Sequence, residues 1–160
     1  MSAKGFYVAQ SGHVVNVLPP VDITGGKTGQ PFSMALAGHA SILLQIGVSA
    51  AAPGAVTLNA CSDNLGSNPT AIPFDVFKQE TAGAANDVLT TRTPVPAAGF
   101  VPSPNDGIFY VIEVDADALP AGLKYVQLAL ANGVNSCIAS AVAILSGLRF
   151  AGDQNPTATA

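Results

Sequence analysis

The chain is organised around residues 105–130, NDGIFYVIEVDADALPAGLKYVQLAL. This stretch opens with the turn sequence Asn-Asp-Gly, after which the aromatic and β-branched residues of 108–114 predict a half-buried strand. Residues 115–119 predict one helical turn, with Asp115 as its N-cap, which the Pro-Ala-Gly sequence of 120–122 ends. Alternation returns over 124–130. The unit is therefore predicted as two strands joined over a single helical turn.

Strand patterns recur along the rest of the chain at intervals of about 8–12 residues. The other predicted strands are 6–9, 14–18, 32–36, 41–48, 56–60, 72–80, 88–93 and 137–150. With no amphipathic helical pattern beside them, they predict an all-β protein. A jelly-roll β-sandwich of about eight strands is preferred because it buries many strand edges. An immunoglobulin-like sandwich is the alternative, although the chain has no Trp.

The strand predicted at 41–48 is apolar on both of its faces. Ile42, Leu44 and Ile46 point to one side, and Leu43 points to the other. A strand of this kind is typical of a position inside a sandwich.

Three regions are predicted along the chain. Residues 1–31 form an extended N-terminal arm with edge strands, residues 32–150 form the jelly-roll β-sandwich, and residues 151–160 form a flexible tail. Pro19-Pro20 and Gly25-Gly26 favour an extended, loosely held backbone in the first region. That region is either an ordinary edge strand with a loop or an arm that docks on a neighbouring subunit.

The charge and hydropathy of the chain indicate which kinds of partner it binds. Charged residues make up 10% of the chain, well below the roughly 25% of average soluble domains. With a mean hydropathy of +0.41, either a partner covers apolar surface or the many Ala and Gly residues raise the index. The net charge is −4 and the six Lys and Arg residues are scattered, so no nucleic-acid partner is predicted. No apolar stretch approaches the roughly 20 residues of a membrane helix, so no membrane partner is predicted.

The start of the chain and its cysteines indicate the compartment. Residues 1–5 lead into no continuous apolar core, so no signal peptide is predicted and the chain is expected to fold in the cytoplasm. Cys61 and Cys137 are accordingly predicted to be reduced and buried. A disulfide between them is the alternative.

No catalytic, cofactor-binding or metal site is predicted, and the protein is expected not to be an enzyme. His13 and His39 lie near Ser11 and Ser41 in sequence only. Each histidine is therefore interpreted as a hydrogen-bonded residue at a strand end, since a catalytic triad makes strict geometric demands.

The sequence also does not predict a metal site or a glycosidase site. The spacings of the two histidines and two cysteines match no zinc pattern. Asp115 and Asp117 lack the glycine and distal glutamate of a calcium loop. Glu80 and Glu113, the only glutamates, each lie inside a predicted strand and do not indicate a glycosidase pair.

Several segments together resemble a family of virion proteins. They are 22–26, 32–34, 71–74, 105–113, 125–128 and 143–150. Over about residues 5–156 the chain is similar to the jelly-roll cement, or decoration, proteins that coat the HK97-type capsids of tailed bacteriophages. The resemblance implies a homo-oligomer, dimer or trimer, bound to the major capsid protein on the outer surface of the virion. It implies no active site and no cofactor.

The hypothesis from the sequence is therefore a phage capsid decoration protein that stabilises the shell. Low charge limits the cost of burying such a surface, and many copies make weak contacts collectively strong. A phage tail or head–tail structural protein is the first alternative. A carbohydrate-binding β-sandwich module is the alternative of another class.

Overall fold

The computed structural model describes residues 5, 7–49, 51, 53–80, 88–149 and 157–160. The strands in them are β1 (His13–Asp22), β2 (Lys27–Thr28), β3 (Phe32–Ser33), β4 (His39–Ser49), β5 (Val56–Cys61), β6 (Thr70–Ile72), β7 (Phe74–Glu80), β8 (Thr93–Val95), β9 (Ile108–Asp115), β10 (Tyr125–Leu130) and β11 (Cys137–Ser146). One α-helical turn, Val8–Ser11, and one 3₁₀ turn, Ala116–Ala118, accompany them. Neither turn has the length and apolarity that crossing a membrane requires.

The strands form two antiparallel sheets. A six-stranded sheet has the order β1-β11-β4-β9-β7-β8. A five-stranded sheet has the order β2-β10-β5-β6, with β3 also paired to β10. The predicted all-β class is confirmed.

The pairing of the strands has jelly-roll connectivity. Strands from the two ends of the chain pair in order towards its middle, as in one long hairpin: β1 with β11, β2 with β10, β4 with β9, and β5 with β6. Contacts of β11 with β4 and of β10 with β5 roll that hairpin into two layers. β7 and β8 extend the first layer beyond β9.

The hydrophobic core lies between the two sheets. Ile42, Leu44 and Ile112 of the six-stranded sheet are fully buried in it. Leu58 and Leu128 of the five-stranded sheet meet them with no exposed surface. Among the described residues, no polar or charged residue is buried. The two inner faces are therefore held together by apolar contact alone.

The central unit of the sequence connects the two layers. β9 lies in the six-stranded sheet and β10 in the five-stranded sheet, and the 3₁₀ turn lies between them in sequence. The predicted helical turn is thus present, and Asp115 occupies its N-cap position as predicted. Its side chain makes no capping bond, because the carboxylate binds His39 instead.

The single strand predicted at 72–80 is two strands in different sheets. β6 ends at Ile72 and pairs in the five-stranded sheet, whereas β7 begins at Phe74 and pairs in the six-stranded sheet. Pro73 separates them and has no N–H to donate to a ladder. The chain changes layers at that residue.

Other predicted boundaries also need correction. Residues 8–11 form a helical turn rather than part of a strand, and residue 6 lies outside the described residues. The strand predicted at 88–93 is instead β8, in which Pro94 is tolerated because the strand lies at a sheet edge. The last strand ends at Ser146, since Gly147 adopts a left-handed φ of 61°.

The two ends of the chain depart from the predicted arm and tail. From His13 onwards the first region belongs to the sandwich, with β1 and β2 as edge strands. Residues 1–4 and 151–156 lie outside the described residues. Within the predicted tail, Thr157–Ala160 pack on the body, and Ala158 is only 6% exposed.

Candidate interaction surface

His39 lies at the start of β4, between two carboxylates of β9. Its Nδ1 is 2.6 Å from Asp115 Oδ1, and its Nε2 is 2.8 Å from Glu113 Oε2. The strand register causes this arrangement, because His39 is paired with Asp115 and the neighbouring Ser41 with Glu113. The interpretation of His39 as a hydrogen-bonded strand-end residue is confirmed.

The chemistry of this cluster is that of an ion pair. Burial lowers the pKa of His39, but the hydrogen bonds to Asp115 and Glu113 raise it by more, so that the pKa lies above its ordinary value. The two carboxylates bind opposite nitrogens of the ring, so they do not converge on one point with it. Among the described residues, no group of three or more His, Cys, Asp or Glu side chains is placed to hold a metal ion.

The remaining residues considered from the sequence do not assemble into a site. Cys61, at the end of β5, and Cys137, at the start of β11, are free and buried in different sheets. The prediction of reduced, buried cysteines is confirmed and the disulfide alternative is wrong. Burial raises the pKa of both thiols, which disfavours the reactive thiolate. The side chain of Glu80 lies outside the described residues.

The outer face of the six-stranded sheet carries an apolar row across four adjacent strands. Val142 of β11 is paired with Leu43 of β4, Leu43 with Val111 of β9, and Val111 with Phe77 of β7. Successive residues of a strand point to opposite faces, and the fully buried Ile42 and its neighbours fill the inner one. We call these four outward residues the apolar row.

Polar side chains border the apolar row on one side. The neighbouring cross-strand row runs from Ser41 through Glu113 to Asp75, and the His39 cluster joins it. Asp75 Oδ2 is 2.7 Å from Arg92 Nη2 in an ion pair whose arginine side chain is 68% exposed. The charges of this face therefore stand beside the apolar row and not within it.

A groove borders the apolar row on the other side. Its volume is about 640 Å³, and Gln45, Phe109 and Ser140 contribute to its lining. These three residues form the next cross-strand row of the same sheet. Ile138, which also lines the groove, is 46% exposed. Apolar surface thus continues from the row into the groove.

The outer face of the five-stranded sheet is different. Its cross-strand pairs are Gln127 with Asn59 and Ala129 with Thr57. These side chains are small or polar and uncharged. We call this surface the polar face.

The apolar row was not predicted from the sequence as a surface. The alternation predicted that Leu43 points away from Ile42 and Leu44 and that this strand lies inside a sandwich, and β4 does lie there. Only the inner side of its sheet meets the other layer, so Leu43 is left on the outer face. Phe77 and Val111 carried the same signal, an apolar residue at an outward position of an alternating strand.

The chain has no matching family model and only a distant similarity to a solved structure. No family model matches the chain, and no curated protein matches it. Among solved structures, the chain is similar to the SPBc2 prophage-derived protein YomS, with 14% identity and a TM-score of 0.45 over 83% of this chain and 92% of that chain. A similarity at this level identifies neither a family nor a function.

Proposed function

We propose that this protein is a structural protein of a tailed-phage virion and that it coats the capsid as a decoration protein. In this role it binds the outer surface of the major capsid protein shell as a homo-oligomer, after synthesis in the host cytoplasm. The role requires no catalysis, cofactor, nucleic acid or membrane. The resemblance of the sequence to capsid cement proteins and the jelly-roll connectivity support it.

The observation that carries the proposal is the apolar row with its adjoining groove. Contiguous apolar surface of this kind, rimmed by polar residues, is typical of a protein–protein interface. Leu43 and Phe77 are partly exposed side chains at the outward side of the sheet, so a partner that covers them gains hydrophobic free energy. The row contains no charge, so its burial incurs little desolvation cost.

The position of the charges suits repeated docking on a shell. Glu113, Asp75 and Arg92 lie at the border of the apolar row, where rim charges affect the association rate and specificity more than the affinity. Each copy needs only modest affinity, because several linked contacts to one shell multiply.

The proposal is tested by immunogold electron microscopy of purified phage particles with an antibody against this chain. Gold over the whole capsid, together with on the order of hundreds of copies per particle by quantitative mass spectrometry, supports decoration, since a shell repeats its subunit by symmetry. Gold confined to the tail or neck, with a few copies, would replace it with the tail or head–tail role. Particles without the chain would contradict both roles.

A further inference from the structure

The segment Thr157–Ala160 lies in a cleft between the two layers. His13, Val15 and Asn16 of β1 line an open groove together with Gln30 and with Thr157, Ala158 and Thr159 of the segment itself. On the other side of the segment, the N–H of Ser33 in β3 donates a hydrogen bond to it. The cleft therefore lies where an edge strand of one sheet faces an edge strand of the other. We call it the β1–β3 cleft.

Three hydrogen bonds hold the main chain of the segment. The carbonyl oxygens of its last three residues each accept one bond from a different part of the fold. The donors are the Ser33 N–H at 2.7 Å, Asn64 Nδ2 at 3.3 Å and the Tyr125 hydroxyl at 2.8 Å. Because these bonds are donated to main-chain carbonyl oxygens and do not depend on the side chains, an extended peptide of another sequence can accept them in the same position.

One side chain anchors the segment. Ala158 is 6% exposed and belongs to the main hydrophobic core cluster. Beside it remains a cavity of about 40 Å³, lined in part by Leu36, Leu145 and Leu148. His13, Ser33 and Thr157 also line this cavity, so the anchor site is mainly but not wholly apolar, and it is larger than the methyl group that occupies it. It admits an aliphatic side chain and disfavours a charged one.

We propose that the β1–β3 cleft is a binding site for an extended peptide with a small aliphatic anchor, and that its ligand between subunits is Thr157–Ala160 of a second copy. Main-chain bonds to a sheet edge combined with one side-chain pocket are a common mode of peptide recognition. Exchange of the segment between copies replaces each contact by an identical one, so it costs little. The second part rests on the homo-oligomer of the proposed function, whereas the first part does not.

Exchange links neighbouring copies at high local concentration. A four-residue segment with three hydrogen bonds and one buried methyl group binds weakly by itself, since each bond has a small net value. Within the homo-oligomer, whether free or on a shell, the segment of one copy and the cleft of its neighbour are present at high effective concentration. The cleft thus provides a subunit contact separate from the apolar row, which faces outward from the six-stranded sheet.

The binding site is tested with a chain that lacks residues 157–160. The probe is the peptide acetyl-Thr-Ala-Thr-Ala-amide, added during NMR observation of the ¹⁵N-labelled protein. We expect saturable shifts of the amide signals of Ser33 and Asn64. A peptide with Val in place of the Ala158 equivalent should bind up to about tenfold more tightly, because it fills the cavity.

The matched control is the same peptide with Asp at the anchor position, which should produce no saturable shift. If the truncated chain does not fold, the full-length Ala158→Asp variant, whose own segment is displaced, takes its place. A folded protein that responds to neither the Ala nor the Val peptide overturns the binding site.

Exchange between copies is tested with Gln30 replaced by p-benzoylphenylalanine, a photoreactive residue at the wall of the cleft. Equal amounts of ¹⁵N-labelled and unlabelled protein are mixed, irradiated and digested. Cross-links between the cleft of one isotope and residues 157–160 of the other support exchange. Cross-links confined to a single chain overturn it. Both experiments use free protein, so their outcome is independent of whether the protein coats a capsid.

Discussion

The two outer faces of the sandwich cover the same core but present different surfaces to their surroundings. On the six-stranded sheet, the apolar row places Leu43, Val111 and Phe77 side by side. On the five-stranded sheet, the equivalent pairing joins Gln127 to Asn59. Both sheets supply fully buried residues to the core, so the fold itself does not require the difference.

The difference between the two faces indicates that the polar face stays in water and that a partner covers the other. A sheet with one face in water normally alternates apolar and polar residues, and the polar face follows that rule. The apolar row departs from it at four adjacent strands. Val111 is already only 8% exposed, whereas Leu43, Phe77 and Val142 are half-buried and keep part of their surface in water. Burial of that remaining apolar surface contributes roughly 25 cal/mol per Å², which only a partner can supply.

The largest expected effect separates the core side of a strand from its outer side. Ile112 and Val111 are neighbours on β9, but Ile112 belongs to the core and Val111 to the apolar row. Ile112→Asp should lower the free energy of unfolding by more than about 4 kcal/mol, because it buries an unpaired charge. Chemical denaturation monitored by circular dichroism measures this.

The conservative control is Ile112→Val, which should cost only about 0.5–1.5 kcal/mol. If Ile112→Asp unfolded at the same denaturant concentration as the wild type, the assignment of this side of β9 to the core would be wrong.

The next effect concerns binding and not folding. The double variant Leu43→Gln, Phe77→Gln should bind capsids that lack the chain at least about tenfold more weakly, since it makes the apolar row polar. Cosedimentation measures the affinity, and the loss of folding free energy should stay below about 2 kcal/mol. Asn59→Ala, on the polar face, is the matched control and should bind like the wild type. An equal loss of capsid affinity in both variants would show that the apolar row is not the binding face.

A smaller effect is expected at the polar border of the apolar row. The pKa of His39 is raised in the folded protein by Asp115 and Glu113. The cluster therefore stabilises the fold fully below the ordinary histidine pKa of about 6.5, and that stabilisation is lost as the pH rises through the higher folded pKa. The stability difference between wild type and His39→Gln should be largest near pH 5.5 and shrink towards pH 8, as measured by urea denaturation at each pH.

A difference between these two proteins that grew with increasing pH would contradict the ion-pair description. Glu113→Gln offers a second measure of the same cluster, since it removes one of the two carboxylates that face the ring. It should reduce the pH dependence without abolishing it.

The smallest effect is expected at the exposed ion pair. Arg92→Ala removes the partner of Asp75 at a site where the arginine is mostly in solvent. The thermal unfolding midpoint should stay close to that of the wild type, because an ion pair exposed to solvent contributes little to stability. Thermal unfolding at low and high salt checks this, and a markedly lower midpoint would mean that the border contributes to the fold.

Much of the fold was predictable because its determinants are local. Alternation over β4 and β9 is visible within a few residues, and the spacing of turns indicated a sandwich. The change of layer at Pro73 was missed, although the proline was visible, because the sheet to which each half belongs depends on distant pairing. The same holds for the buried Ala158, an isolated small residue in a stretch without a strand pattern.

The interaction surface was only partly predictable. Low charge and high hydropathy indicated that a partner covers some surface, but did not say where. Locating the apolar row requires the register of four strands, and the partners of His39 lie 74 and 76 residues away in sequence. No local pattern connects residues at that separation.

Docking of this protein on the capsid through the apolar row is tested most directly by an electron cryomicroscopy reconstruction of the phage particle at side-chain resolution. We expect density for this chain on the outside of the capsid, with Leu43, Val111 and Phe77 in contact with a neighbouring protein and the polar face towards solvent. A capsid without this density, or one in which the polar face meets the shell while the apolar row lies in water, would contradict the account.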